Sequence, residues 1–301
     1  MQSAFNTNKE IKSQQKPYAM RKFIFITASL ILSAFYCSAE RYVPTQADVD
    51  RFFKTKTYVV LQNNPMSEYN MKVKEAVEKF WTITPFEFIN NTQFEEMRKD
   101  PEKSFLVVIQ VKFPKDKIEA SYNFLSVLLG AAVKRITDMP EICGIPISYA
   151  NVDEFSWAYK SKALVTFLQN HIQLMKTNSE LLTANMFNYY NKNRGDVHTK
   201  ELWVVEKDLA KEARSLATLQ SNYKFTIKVV KSEDIEKAIE ERNTNVVFLH
   251  KVGPEGTRMQ ARCYKMIIGI GENKLYYWDY HTIKNKEDDG LMIKDLKKLN
   301  K

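Results

Sequence analysis

The sequence predicts an α/β protein built of two tandem related β-α-β-α-β-β-α units, sandwiches of two or three layers joined by helices. Short apolar runs alternate with stretches whose apolar residues recur at helical spacing, the pattern of strands packed under helices. The alternation occurs twice in the same order, over residues 58–111 and 202–252. From the second strand of each copy the residue types correspond without a gap at a separation of 141 positions: Phe86 with Ile227, Phe88 with Val229, Asn91 with Ser232, Phe94 with Ile235 and Phe105 with Val246. The first strands correspond at 144, which assigns a loss of three residues to the first helix or its loops in the second copy.

In the first unit Tyr58-Val59-Val60-Leu61 reads as a buried strand, and Met66, Tyr69, Val73, Ala76, Val77 and Phe80 form the stripe of a helix after Pro65. Phe86-Glu87-Phe88 alternates as a second strand. Asn91 can cap a short helix carrying Phe94 and Met97, and the apolar run from Phe105 to Val111 marks a strand covered on both faces. The second unit repeats this with the strand Leu202-Trp203-Val204-Val205 and a helical stripe of Leu209, Ala213, Leu216 and Ala217. Phe225, Ile227 and Val229 then alternate, Ser232 can cap a helix bearing Ile235, Ala238 and Ile239, and Val246 to Leu249 is the apolar strand.

Both units continue in β structure, at Ser121 to Leu129 and Ile145 to Ser148 in the first. In the second, Arg262 to Ile270 and Leu275 to His281 are joined at Gly271-Glu272-Asn273 as a hairpin. Helices close the units at Phe155 to Met175 and Leu291 to Leu299. Leu181 to Tyr190 adds an apolar helix before the linker Asn191-Lys192-Asn193-Arg194-Gly195. The order resembles the general plan of thioredoxin-like domains and of small α/β modules in bacterial envelope proteins. The resemblance is one of topology only: no motif of either group stands at the expected place, so it implies no function and no site residues.

Residues 20–39 have the layout of a signal peptide: Arg21-Lys22, an apolar run from Phe23 to Tyr36, and small residues at Cys37 and Ala39 suited to cleavage before Glu40. The run is shorter than the roughly 20 residues that cross a bilayer, so no membrane span is expected once it is removed. Residues 1–19 are polar, aperiodic and followed by Met20, and are expected to be an upstream extension from a misassigned start. The mature chain is expected in the periplasm or outside the cell. Lipid attachment at Cys37 is the alternative to cleavage, and the bulky Tyr36 beside it counts against that alternative. The rest divides into a first repeat at 40–177, a connecting helix and linker at 178–199, and a second repeat at 200–301, consistent with about 150 residues per domain.

The chain carries 45 Lys+Arg against 36 Asp+Glu. Part of that excess lies in residues 1–39, and acidic residues interleave the remainder, so no clustered phosphate-tracking surface is expected and no nucleic-acid partner. Cys143 and Cys263 remain after export. An oxidising compartment permits a bond between them, whereas their apolar neighbours fit two buried thiols, and the sequence leaves both readings open.

The four histidines, His171, His198, His250 and His281, are too far apart for a local metal site. Gly269-Ile270-Gly271 precedes a strand, which gives a dinucleotide phosphate no helix N-terminus, and no nucleophile-elbow or phosphate-loop motif occurs. No metal and no cofactor is expected. His250 at the end of one strand, with Asp279 and His281 on the last, is the candidate acid/base cluster if those strands are neighbours. Tyr276, Trp278 and Tyr280 alternate to one face as a candidate binding row for sugars or peptide side chains, and packing under the C-terminal helix explains the same pattern. The functional expectation is an exported, non-enzymatic envelope protein that binds or assembles a protein partner. The alternatives are a hydrolase or ligand-binding enzyme with its site between the repeats, and a thiol-free thioredoxin-like chaperone.

Overall fold

Strands that are apolar throughout need cover on both faces. The computed structural model, which describes residues 42–301 except 114, 115, 117, 119 and 273, supplies that cover with helices on either side of two five-stranded mixed sheets. The expected upstream extension, signal peptide and Cys37 lie outside the described residues. The chain from Tyr42 onward runs α1 (Gln46–Phe52), β1 (Lys56–Val60), α2 (Glu68–Phe80), β2 (Phe86–Ile89), α3 (Asn91–Met97), β3 (Lys103–Lys112), β4 (Ser121–Leu129), β5 (Glu141–Tyr149) and α4 (Ser161–Met175). It continues through α5 (Phe187–Lys192), β6 (Glu201–Val204), α6 (Leu216–Asn222), β7 (Ile227–Val229), α7 (Ser232–Glu240), β8 (Val246–Val252), β9 (Ala261–Gly269), β10 (Leu275–Ile283) and α8 (Ile293–Leu299).

The sheets have orders β2-β1-β3-β4-β5 and β7-β6-β8-β9-β10. In each, the first strand lies parallel to and between the second and third, and the last two strands add antiparallel ones at the same side. Thr57 pairs with Phe86 on one side and Ser104 on the other, as Leu202 pairs with Ile227 and Val247. Matching these ladders keeps Phe86 with Ile227 but places Thr57 with Leu202 and Phe105 with Phe248, so neither the correspondence of the first strands at 144 nor the ungapped one of Phe105 with Val246 holds. The second sheet has two more residues than the first between the paired positions of its second and third strands, where the chain turns at Arg242 with φ +53°.

The layers stack in the order α3, first sheet, a central helical layer of α2, α4 and α7, second sheet, then α6 and α8. The shared core joins Val59, Leu106 and Ile145 of the first sheet to Val165 and Leu168 of α4 and to Phe248 and Met266 of the second. Twelve of the 15 residues of α4 are buried, which is why its apolar stripe extends around most of the helix. Leu202, Leu249 and Ile267 face away from that core and pack on Leu219, Leu296 and Leu299. The helix expected from Phe155 begins only at Ser161, preceded by two 3-10 turns, and the helix expected over 181–190 is a 3-10 turn followed by α5. Cys143 and Cys263 are both buried thiols with no disulfide between them, and burial pushes the Cys263 thiol well up from its ordinary value. Among the described residues no helix is long and apolar enough to cross a membrane.

Candidate functional site

The structure separates the residues of the expected acid/base cluster. Across β8, β9 and β10, His250 is level with Met266 and Trp278, whereas Lys251 is level with Lys265 and Asp279. Residues level with one another across a sheet share a face and successive residues alternate, so His250 points into the shared core and Asp279 and His281 point to the opposite side. His250 is fully buried, and its Nε2 lies 2.9 Å from the carbonyl of Pro146 in the first sheet. Burial, with the nearby Lys160 charge, pulls it down to about 3.

On the other face, Lys265 Nζ lies 2.9 Å from His281 Nδ1, and His281 Nε2 lies 2.9 Å from the carbonyl of Asp288. An ammonium can only donate, so Nδ1 is the acceptor and Nε2 carries the proton. Burial and then the Lys265 charge lower the His281 pKa. Its basic lone pair is already occupied by a cation. Asp279 accepts from Lys298 and from the Tyr277 hydroxyl. Burial alone would raise its carboxyl, but the Lys298 hydrogen bond and the Lys265 charge hold it below the usual range. These groups fasten α8 to the sheet.

The aromatic row is also divided. A bulge between Leu275 and Tyr277 inserts Tyr276 as an extra residue, so Tyr276 joins the outer core and is 1% exposed. Its hydroxyl donates to Glu272 at 2.7 Å. Trp278 stacks on Phe187 with centroids 3.5 Å apart, and Asn191 closes the strand edge by bonding both the N–H and the carbonyl of Trp278 at 2.8 Å. Only Tyr280 of the three is exposed, and its ring and that of Phe113 flank the Arg262 guanidinium.

A different set of residues converges. At the carboxyl ends of β6, β8 and β10, which run in the same direction, a cavity of about 510 Å³ opens to solvent. The crevice beyond the carboxyl ends of parallel strands is where open α/β sheets characteristically hold ligands. Lys207, Lys211, Arg214 and Lys286 rim it, all exposed, against the carboxylates Glu255 and Glu287. Lys211 bonds Glu287 at 2.7 Å, and that bond, reinforced by Lys286 and Arg214, lowers the Glu287 pKa. Beneath the rim lies Lys251, 3.4 Å from the buried Asp289. Burial works against the Lys251 ammonium, but the charges of Asp289 and Asp208 outweigh it and raise its pKa, so the floor of the basin stays charged. Asp208 in turn pairs with the buried Lys160 at 3.2 Å.

Backbone geometry holds the walls together. Ala210 donates to the Leu291 carbonyl and Leu291 to that of Asp208, a two-residue parallel bridge. The bridge draws residues 206–213 into two 3-10 turns where the sequence predicts a helix. It needs Gly290: a Cβ there would stand 2.2 Å from the backbone nitrogen of Ala210. Gly290→Ala is therefore expected to cost about 1–3 kcal/mol by overpacking, read as a lower urea midpoint at unchanged slope. The basin has no contiguous sequence signal, because its five cations come from two loops and the end of β8, segments about 40 positions apart that only the sheet order brings together.

Among the described residues no group of three or more His, Cys, Asp or Glu side chains is placed to hold a metal ion. Comparison with protein-family models, with curated proteins and with solved structures gives no match.

Proposed function

We propose that this chain is an exported, non-catalytic binding module of the cell envelope whose basic basin receives an acidic surface of a protein partner. The observation that carries the reading is the basin itself: four exposed cations around an open cavity, over a buried lysine that stays charged. Such an arrangement attracts carboxylates and steers their approach. Glu255 and Glu287, interleaved with the cations, favour spaced carboxylates over a dense polyphosphate, which they would repel. His250, Asp279 and His281 are each committed to structural bonds, which favours binding over acid–base chemistry. The layout of residues 20–39 supports export, and the common strand order of the two sheets supports an origin by internal duplication.

The test is binding of a fluorescent peptide of alternating Asp and Gly, followed by anisotropy. The peptide is expected to bind at about 50 mM salt, to weaken about tenfold or more at about 500 mM, and to lose binding in Lys211→Glu/Lys286→Glu. Equal binding of a neutral Ser-Gly peptide would refute the reading.

A further inference from the structure

A second cavity, about 580 Å³, opens on the same edge of the second sheet over the ends of β6 and β7, and its charge is opposite. Glu206, Glu233 and Asp234 line it against a single cation, Lys231, over a floor that includes Val205 and Val229. All three carboxylates are exposed, and Val229 is 38% exposed. The 3-10 turn Glu206–Asp208 forms the ridge between the cavities: Glu206 faces the acidic one and Lys207 the basic one. A face that is positive on one side of a ridge and negative on the other is complementary to its own copy turned by half a rotation about an axis through that ridge.

We propose that a second copy of this chain docks on this face as an isologous dimer, each copy's basic basin receiving Glu206, Glu233 and Asp234 of the other. The proposal rests on the reading that the basin receives an acidic surface, and it names that surface. The valines of the acidic cavity give the contact an apolar centre beside the ion pairs. Exposed ion pairs contribute little individually and are screened by salt, so the dimer is weak and salt-sensitive.

Sedimentation equilibrium is expected to show a dimer at about 50 mM salt whose dissociation constant rises about tenfold or more at about 500 mM. Lys207→Glu/Lys211→Glu/Lys286→Glu and Glu206→Lys/Glu233→Lys/Asp234→Lys are each expected to be monomeric. An equimolar mixture of the two regains the dimer, because each reversed side then meets an oppositely reversed one. A wild-type monomer at every salt concentration overturns the proposal, as does a dimer indifferent to both variants. So does a mixture that stays monomeric while circular dichroism shows both variants folded. A monomer that still binds the acidic peptide refutes the second copy and leaves the basin as a partner site, whereas loss of both refutes both.

Discussion

Asp295→Ala is expected to lower the unfolding free energy by about 3–5 kcal/mol, the cost of leaving a buried charge without its partner. Asp295 and Lys265 are both fully buried on the outer face of the second sheet. Both carboxylate oxygens accept from Lys265 Nζ, at 3.0 and 2.9 Å. One oxygen also accepts from the Tyr277 hydroxyl and the other from the backbone N–H of Met292, which opens α8. Alanine leaves the ammonium with His281 Nδ1 as its remaining partner, leaves the Met292 N–H without its side-chain acceptor, and leaves the Tyr277 hydroxyl with Asp279 alone. Lys265→Met/Asp295→Leu removes both charges while keeping apolar bulk, and it is expected to recover about 2 kcal/mol or more of the single-variant loss. Urea unfolding of the three proteins checks this. A single-variant loss below about 1 kcal/mol, the range of exposed pairs, would contradict the burial on which the argument stands.

The same pattern recurs at Lys160 with Asp208 and at Lys251 with Asp289, and the second of these pairs lines the basin. Lys160 belongs to the segment leading into α4, and Asp208 to the turn after β6. The pair therefore fastens the central helical layer to the wall that presents Lys207 and Lys211. Stability and the geometry of the basin rest on the same contacts.

The α/β class and every strand were legible because the strands are apolar runs or alternations long enough to stand out, with unbroken apolar stretches at Phe105 to Ile109 of β3 and Val246 to Leu249 of β8. The helix α1 was not, since only Val49 and Phe52 of its seven residues are buried and two positions make no periodicity. Its one local signal was Thr45 three residues before Asp48, which form a capping box. The apolar pattern alone sets the first strands one position and the third strands two positions out of register, because aligned apolar residues do not show where a turn changes length. Tyr276 leaves the expected row because a bulge breaks the alternation without any glycine to announce it. The acid/base cluster required β8 and β10 to be neighbours, and β9 lies between them. The basin was invisible for the converse reason: its lysines are ordinary surface residues until the strand order places their loops on one edge.

Acid is expected to destabilise the protein from near neutrality, before the carboxylates titrate, and His250 is the principal cause. Its ordinary value of 6.5 applies to the unfolded chain, and burial holds the folded value at about 3. Between those limits the unfolded state binds a proton that the folded state refuses, so stability is complete above about pH 6.5 and declines as pH falls toward about 3. The loss approaches about 1.4 kcal/mol per pH unit, or about 2 kcal/mol between about pH 7.5 and about pH 5. His281, also depressed, adds a contribution of the same sign. His250→Gln cannot take up the proton, yet its amide can still donate to the Pro146 carbonyl that His250 Nε2 engages. Urea unfolding at the two pH values should therefore show the variant losing about 2 kcal/mol less than the wild type. An equal loss in both proteins would mean that His250 is protonated in the folded state and that the contact between the two sheets at Pro146 admits water.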